Sequence, residues 1–532
     1  MPARSEKPAA STRGSGERFA WWNLSFLRIV TLSLSGNDAA NKKNIQPRSG
    51  LLSRLIPLIL AVALFMENMD ATVIATSLPA IAADIGTTPV ALKLAFTAYF
   101  VALAIFIPIS AWLADKFGAK TVFRAAILVF IAGSIACAFS GSLPEFIIAR
   151  FLKGMGGAMM SPLARLILLR TTERKDLVNA MAWLTIPALI GPTLGPPVGG
   201  FLTTFLSWHW IFIINVPIGL AGVILITKYL PHVESATQRP MDFPGFFLSA
   251  IAFSGIVFGL SLLSMPVLPL WVALVSTAVG IAAAVIYVPY ALRIEHPLLD
   301  PRLFVHPSYR AVIAGTSLFL IGAGATPFLL PLMLQVGFGY TPFESGMITF
   351  VGAIGALCMK FIAKPIYQRI GFRTALMTAG VLSALGLAIK GTFVPQTPII
   401  VMMVVIFVVG IVRSLYFTGQ NALAFADIDE DEAGPATAIH AVMRPIATAL
   451  AVATAGGVLE VSSHLRGQPL GVDDFHTAFF VIAAISLLAI VPYLRLEKEA
   501  GSDISGQRTA TQRQAALEKA EQQGYQGRSP RF

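Results

Sequence analysis

The sequence is poor in charge. Only 13% of its 532 residues are Asp, Glu, Lys or Arg, about half the share in soluble domains, which carry about 25%. With 55% hydrophobic residues and a mean hydropathy of +0.73, that scarcity excludes an ordinary soluble domain and indicates a polytopic membrane protein. Cysteine is nearly absent. Cys137 and Cys358 both lie in apolar runs, so neither a disulfide framework nor a cysteine metal cluster is expected. Seven histidines (209, 232, 296, 306, 440, 464 and 476) are scattered, and no H-E-x-x-H pair, Walker A loop or G-x-S-x-G elbow occurs. Metal and other cofactors are therefore not expected, and neither an enzyme nor a nucleotide-driven pump has support. The formal charge of +11 would suggest nucleic acid in a soluble chain. Here the basic residues sit in short loops between apolar runs, which orients a membrane protein instead.

What is abundant is apolar length. A helix that crosses the bilayer needs about 20 mostly apolar residues. That criterion predicts spans near 55–79, 93–113, 121–140, 145–169, 178–203, 209–230, 243–263, 268–292, 310–334, 342–366, 373–394, 398–424, 434–460 and 475–495. An even count puts both termini on one side. Lys116, Lys120 and Arg124 follow span 2, and Arg170, Arg174 and Lys175 follow span 4. Lys228 and Arg239, then Arg293, Arg302 and Arg310, then Lys364, Arg369 and Arg373 follow spans 6, 8 and 10. The alternate loops are nearly bare of cations, with Lys93 and Arg466 the exceptions, so both termini are expected in the cytoplasm. The acidic stretch "ADIDEDEAG" (426–434) departs from this pattern, but acidic residues weigh little in orientation. Residues 1–50 read as a disordered cytoplasmic extension, with an interfacial helix over 21–35 as the alternative and no signal-peptide pattern. Residues 496–532 read as a disordered cytoplasmic tail.

Two carboxylates interrupt the first span. In "LFMENMDATVIATSLP" (64–79), Glu67 and Asp70 stand three positions apart, hence on one helix face and about 18 and 22 Å from the start of the span. Ionisable groups at that depth usually face a cavity or a partner. Low dielectric and mutual repulsion both disfavour two charges side by side, so the pair is a candidate for proton loading and release. Asp70 is the expected main site, with Glu67 tuning it or contacting substrate. A structural pair locked to a buried cation such as Arg150 or Lys153 is the alternative. Other charges within spans are Arg165, Lys360, Lys390, Arg413, His440, Arg444 and Glu460. Lys390 and Glu460 lie near span ends and are expected at the interface, whereas Arg444 is mid-span. Lys153, Arg413 and Arg444 are candidate cavity charges.

Four motifs then share one origin. "SAWLADKFGAKTVF" (110–123) resembles the loop signature G-x-L-A-D-R-x-G-R-K of the major facilitator superfamily. Asp115, Lys116, Gly118 and Lys120 are in place, and Ala111 and Ala119 replace a glycine and an arginine. "ARFLKGMGGAMM" (149–160) is similar to the span-4 pattern R-x-x-Q-G-x-G-x-A, with Arg150, Gly154, Gly156 and Ala158 matching and Lys153 in the glutamine position. "LIGPTLGPPVGGFL" (189–202) repeats glycine at 191, 195 and 199, a smooth face for close helix approach. Pro192, Pro196 and Pro197 beside them should bend the helix. With Gly200 this run resembles the antiporter signature G-P-x-L-G-P-x-x-G-G. "MDATVIATSLPAI" (69–81) resembles the span-1 signature through Asp70, Thr72, Leu78 and Pro79. With "SWHWIFIINVPIG" (207–219), "HPLLDPRLFVHPSYR" (296–310) and "FLLPLMLQVGFGYTPFESG" (328–346), the chain resembles fourteen-span drug/proton antiporters of the EmrB/QacA type, MdtD-like members above all.

The resemblance covers about residues 51–495 and implies an all-α major facilitator fold. It implies a six-helix bundle over 51–230, an inserted helix pair over 243–292 and a second six-helix bundle over 310–495. It further implies a cytoplasmic latch centred on Asp115 and a central cavity with alternating access, and it singles out Asp70 as the span-1 signature residue. Proton coupling is expected through Asp70, Glu67 and Arg150, with the role of Glu67, outside that signature, resting on its mid-span position alone. "AKPIYQRIGFRTAL" (363–376) echoes the latch loop without its aspartate. The expected function is export of drugs or other amphipathic small molecules against protons, across a bacterial inner membrane. A dedicated exporter of one metabolite, chelate or siderophore is the near alternative, and a non-transporting sensor is the alternative of another class. The resemblance also allows a periplasmic adaptor protein as partner.

Overall fold

The computed structural model describes residues 52–502 except 173–175, 232–239, 264–268 and 498. The readings made for residues 1–50, for nearly all of the C-terminal tail and for Arg174, Lys175 and Arg239 lie outside the described residues. All regular structure in the described part is helical, as a bilayer requires when each segment must satisfy its own backbone groups.

The chain runs as α1 (Leu52–Val73), a 3-10 turn (Ile74–Thr76), α2 (Leu78–Asp84), α3 (Lys93–Phe106), α4 (Ser110–Phe117), α5 (Ala119–Ala138), α6 (Leu143–Thr171) and α7 (Leu177–Phe205). It continues as α8 (Trp210–Ile213), α9 (Asn215–Tyr229), α10 (Phe243–Leu262), α11 (Leu270–Ala291) and α12 (Pro307–Leu332). The last elements are α13 (Pro342–Lys390), α14 (Ile399–Leu423), α15 (Ala433–Arg466), α16 (Val472–Leu487) and α17 (Val491–Leu494). Ten described helices, some of these elements joined end to end, are long and apolar enough to cross a membrane, eleven when α3 and α4, bent by 55°, count as one span. Fourteen spans were expected, and the difference lies in three places. Helices α6 and α7 have 29 residues each, ample length, but charges, glycines and prolines displace apolar side chains there. Helix α13 is two helices joined at Gly371, whose φ of 73° breaks the helix.

Packing differs between the two ends. At one end a single apolar core draws on both halves of the chain: Ile74, Leu78 and Phe96 pack with Phe328, Met333 and Leu459. Polar contacts cross there too. Gln335 donates to the Thr76 carbonyl at 3.0 Å, the Phe343 amide donates to Thr204 Oγ1 at 3.1 Å, and Lys93 pairs with Glu460 at 3.0 Å. Further along, α3 and α15 still share an apolar contact through Val101, Ile105, Val442 and Ile446. Toward the end marked by Gly118 and Gly371 the halves have separate cores, one around Phe123, Phe130 and Ile167, the other around Tyr367, Tyr416 and Tyr493. The molecule is sealed at the Lys93 end and cleft at the Gly118 end. Glu460 and Lys390 were both expected at an interface. Glu460 is instead held against a fully buried lysine, and Lys390 is buried.

The two helices expected as an inserted pair, α10 and α11, pack asymmetrically. Helix α10 packs on α3 and α15, so it touches both halves, while α11 packs chiefly on α10 through the close crossing of Gly255 and Gly280. Asp242 ties the pair to the next segment, accepting from the Gly245 amide, Tyr290 Oη and the Leu298 amide.

Candidate functional site

Helix α1 stops at Val73, three residues past Asp70, and tightens into the 3-10 turn. Just before that break Asp70 is fully buried and clasped from both sides. Arg150 Nη1 donates to Asp70 Oδ2 at 2.9 Å and Lys153 Nζ donates to Oδ1. Both cations come from α6, three residues apart, so one helix face presents them together. Each is backed by aromatic rings. The Arg150 guanidinium lies 4.3 Å from the Tyr99 ring centre, and the Lys153 ammonium lies 4.7 Å from the rings of Phe130 and of Phe212. Arg150 Nε has no hydrogen-bond partner among the described residues.

Glycines make this closeness possible. A Cβ on Gly154 would lie 2.5 Å from the Tyr99 carbonyl oxygen, and one on Gly156 would lie 2.5 Å from the Phe130 amide nitrogen. A Cβ on Gly133 would meet Lys153 backbone at 2.6 Å. The two glycines of the α6 motif therefore seat it against α3 and α5, carrying Tyr99 and Phe130 to the cations.

Glu67 has a different environment. It was expected to share a site with Asp70, yet it accepts a 2.6 Å hydrogen bond from Ser161, two turns beyond Lys153 on α6. It is half-buried, and its electrostatic neighbours are Arg165, one turn past Ser161, and Arg444 of α15. Arg165 and Arg444 come from opposite halves of the chain, both are exposed, and Arg444 feels the charge of Arg165, which puts them together at the cleft. Arg444 lies over the Phe417 ring at 5.5 Å, and His440, one turn away, meets Asn421 at 3.1 Å. The carboxylates therefore divide the space: Asp70 in a closed clasp, Glu67 at the cleft. Of the candidate cavity charges, Lys153 belongs to the clasp, Arg444 to the cleft, and Arg413 lies half-buried in α14.

The glycine face of α7 packs on α1. A Cβ on Gly191 would lie 2.7 Å from the Phe65 carbonyl oxygen, and Cβ atoms on Gly195 and Gly199 would overlap Thr72 and Val73. Gly200 points the other way and would overlap Pro342 and Phe343 at the start of α13, while Gly346 lies against Pro196. Helix α7 is thus wedged between α1, where it meets Met69 and Thr72 on either side of Asp70, and the first turn of α13 in the other half.

The loop expected to act as a latch and its echo have matching geometry. Gly118 (φ 83°) joins α4 to α5, and Gly371 (φ 73°) breaks α13. Two residues after each stands a cation that caps a helix end: Lys120 donates to the Thr227 and Leu230 carbonyls, and Arg373 donates to those of Tyr493 and Leu494. Asp115 pairs with Arg170 at 2.9 Å within the N-terminal half, and Lys116 lies 4.8 Å from the Trp112 ring. Sequence reasoning missed Tyr99, Phe130, Phe212 and Ser161, because aromatic and hydroxyl residues in apolar spans carry no signature until their helix partners are known. It also missed the Lys93–Glu460 pair, whose members lie 367 residues apart.

Comparison with known proteins decides the family. Residues 60–299 and 312–524 match the model of the Major Facilitator Superfamily. The chain belongs to the major facilitator superfamily. A Salmonella paratyphi B protein named "Putative multidrug resistance protein MdtD" is 32% identical over 452 residues, spanning 83% of this chain and 94% of the relative. The "Probable transport protein HsrA" of Haemophilus influenzae is 33% identical over 447 residues, 84% and 96% of the two chains. Among solved structures, a D-xylose-proton symporter superposes with a TM-score of 0.60 at 14% identity, covering 83% of this chain and 97% of that one. A POT family peptide transporter gives 0.60 at 16% identity, covering 84% and 97%. At such identities the structures establish the fold alone. This major facilitator is accordingly a multi-pass membrane transporter of small molecules, and its relatives are transporters, not enzymes.

Proposed function

We propose that this transporter exports drugs or other amphipathic small molecules in exchange for protons, by alternating access across a bacterial inner membrane. Its working parts are a six-helix bundle over 51–230, a second over 310–495 and the inserted pair over 243–292. Both termini and the Gly118 end face the cytoplasm, where the positive-inside rule puts the cation-rich loops. On that orientation the cleft opens inward and the sealed Lys93 end faces outward.

The clasp around Asp70 carries the reading. A fully buried carboxylate held by two buried cations is stable only while it is charged, because losing it leaves two uncompensated cations in low dielectric. A proton on Asp70 converts a clasp into a repelling pair at the point where α1 breaks and where α7 rests. Proton binding there is thereby linked to the packing of α1, α6 and α7, and through Gly200 to α13. Arg150 belongs to this coupling set, and Glu67 stands between it and the cleft. The match of residues 189–202 to the antiporter signature supports exchange over co-transport.

The test is substrate screening by pH-gradient-driven transport in everted membrane vesicles, comparing wild type with Asp70→Asn. Proton-driven accumulation of at least one amphipathic compound in wild type, lost in Asp70→Asn at equal expression, is the expected result. Undiminished proton-driven transport by the variant refutes the role given to Asp70.

A further inference from the structure

We infer that the cleft selects amphipathic anions: a substrate carboxylate or comparable monoanionic group bridges Arg165 and Arg444 while its apolar body lies against the aromatic side of the cleft. This deepens the transport reading and rests on it for the claim that the bound molecule is moved.

The charges around the cleft decide the sign. Arg165 and Arg444 approach from opposite halves of the chain, both are exposed to the cleft, and neither forms an ion pair among the described residues. The carboxylate that acts on Arg444 among the described residues, Glu67, is already engaged by Ser161. Glu67 with the two arginines leaves an excess of one positive charge when all three are ionised. The neighbouring clasp adds no compensation, since Asp70 serves two cations. A cationic drug would enter this site against a net positive field. A monoanion would neutralise it, and a planar guanidinium on each side suits a carboxylate's two oxygens. Phe417 under Arg444 supplies an apolar surface next to the charge.

The position of the arginines also gives the charge a mechanical role. Like charges facing each other across the cleft oppose its closure. An anion held between them removes that opposition, so closure at the Gly118 end is favoured by the correct substrate and resisted without it. This selects by differential interaction with two states, which is what a ligand needs in order to shift a conformational equilibrium.

Three probes with one apolar body test the charge preference: pyrenebutyrate, pyrenebutanol and pyrenebutyl-trimethylammonium. Each is titrated against the purified full chain in phosphatidylcholine nanodiscs, with empty nanodiscs as background and quenching of tryptophan emission as readout. The anion is expected to bind at least about tenfold more tightly than the cation, the factor that one charge-assisted contact represents. Arg165→Gln and Arg444→Gln should each weaken the anion by about tenfold and leave the alcohol within about twofold. Arg444→Lys should retain most of the preference, which shows that a loss in Arg444→Gln is one of charge and not of folding. Glu67→Gln should tighten the anion, because the cleft then carries one more net positive charge. Equal or tighter binding of the cation overturns the inference, as does an anion affinity unmoved by both glutamine variants, or no binding of any probe. Binding is measured without transport, so an anion that binds through Arg165 and Arg444 but is never moved refutes the transport reading and leaves this site standing.

Discussion

Asp70 is legible in the sequence as a carboxylate at mid-span, but the company it keeps is not. Spacing on α1 placed Glu67 and Asp70 on one face and suggested a like-charge pair. The structure gives each its own partners from α6, Arg150 and Lys153 for Asp70 and Ser161 for Glu67, two turns further along. Lys153, which departs from the family's usual glutamine, turns a single ion pair into a clasp. A double-mutant cycle on Asp70→Asn and Lys153→Met, read by thermal unfolding in detergent, should give a coupling of about 1–3 kcal/mol, the size found for residues in one buried network. Asp70→Asn alone should destabilise most, by about 3–5 kcal/mol, because it strands two buried cations. A coupling near zero would show that the Lys153 bond to Asp70 does not hold in solution.

At the scale of helices, the glycine pattern was readable as a close-packing face, while the identity of the surfaces on either side was not. Gly191, Gly195 and Gly199 seat α7 on α1, and Gly200 alone reaches α13, a contact over 140 residues away in sequence. Gly200→Leu should push α13 off α7 and loosen the sealed end. Overpacking costs about 1–3 kcal/mol, enough to raise labelling of a buried Ser345→Cys by a membrane-impermeant maleimide about fivefold or more, in a background lacking Cys137 and Cys358. Unchanged labelling would mean that the α7–α13 contact does not govern the seal. The latch echo is a second case. The sequence showed the turn and charges of 363–376, and only the structure shows that Lys120 and Arg373 cap equivalent helix ends. Lys120→Gln and Arg373→Gln should therefore lower thermal stability by similar amounts, about 1 kcal/mol each for a partly exposed charged hydrogen bond, with Lys120→Arg near wild type. A large difference between the two would break the equivalence.

For the whole molecule, charge scarcity and fourteen apolar runs gave the fold class, since bilayer thickness and backbone satisfaction leave few alternatives. Which end is sealed could not be read, because it depends on contacts between the halves. The Lys93–Glu460 pair is an ion pair across that end, and a Cβ on Gly456 would meet the Lys93 chain 2.5 Å away. Glu460→Lys should open the seal, and adding Lys93→Glu should restore it, with the same maleimide labelling as readout; removing one partner of a buried pair costs about 3–5 kcal/mol. Failure of the swap to restore protection would assign the seal to the apolar core and the neutral hydrogen bonds of Gln335 and Thr204. Opening this end while closing the cleft is the motion that proton exchange at Asp70 is proposed to drive. Its most direct test uses proteoliposomes of the purified transporter with the membrane potential clamped. Wild type should accumulate a transported substrate against its gradient when a pH gradient is imposed, whereas Asp70→Asn should exchange labelled for unlabelled substrate without accumulating it. Accumulation by Asp70→Asn at the wild-type level would contradict the account.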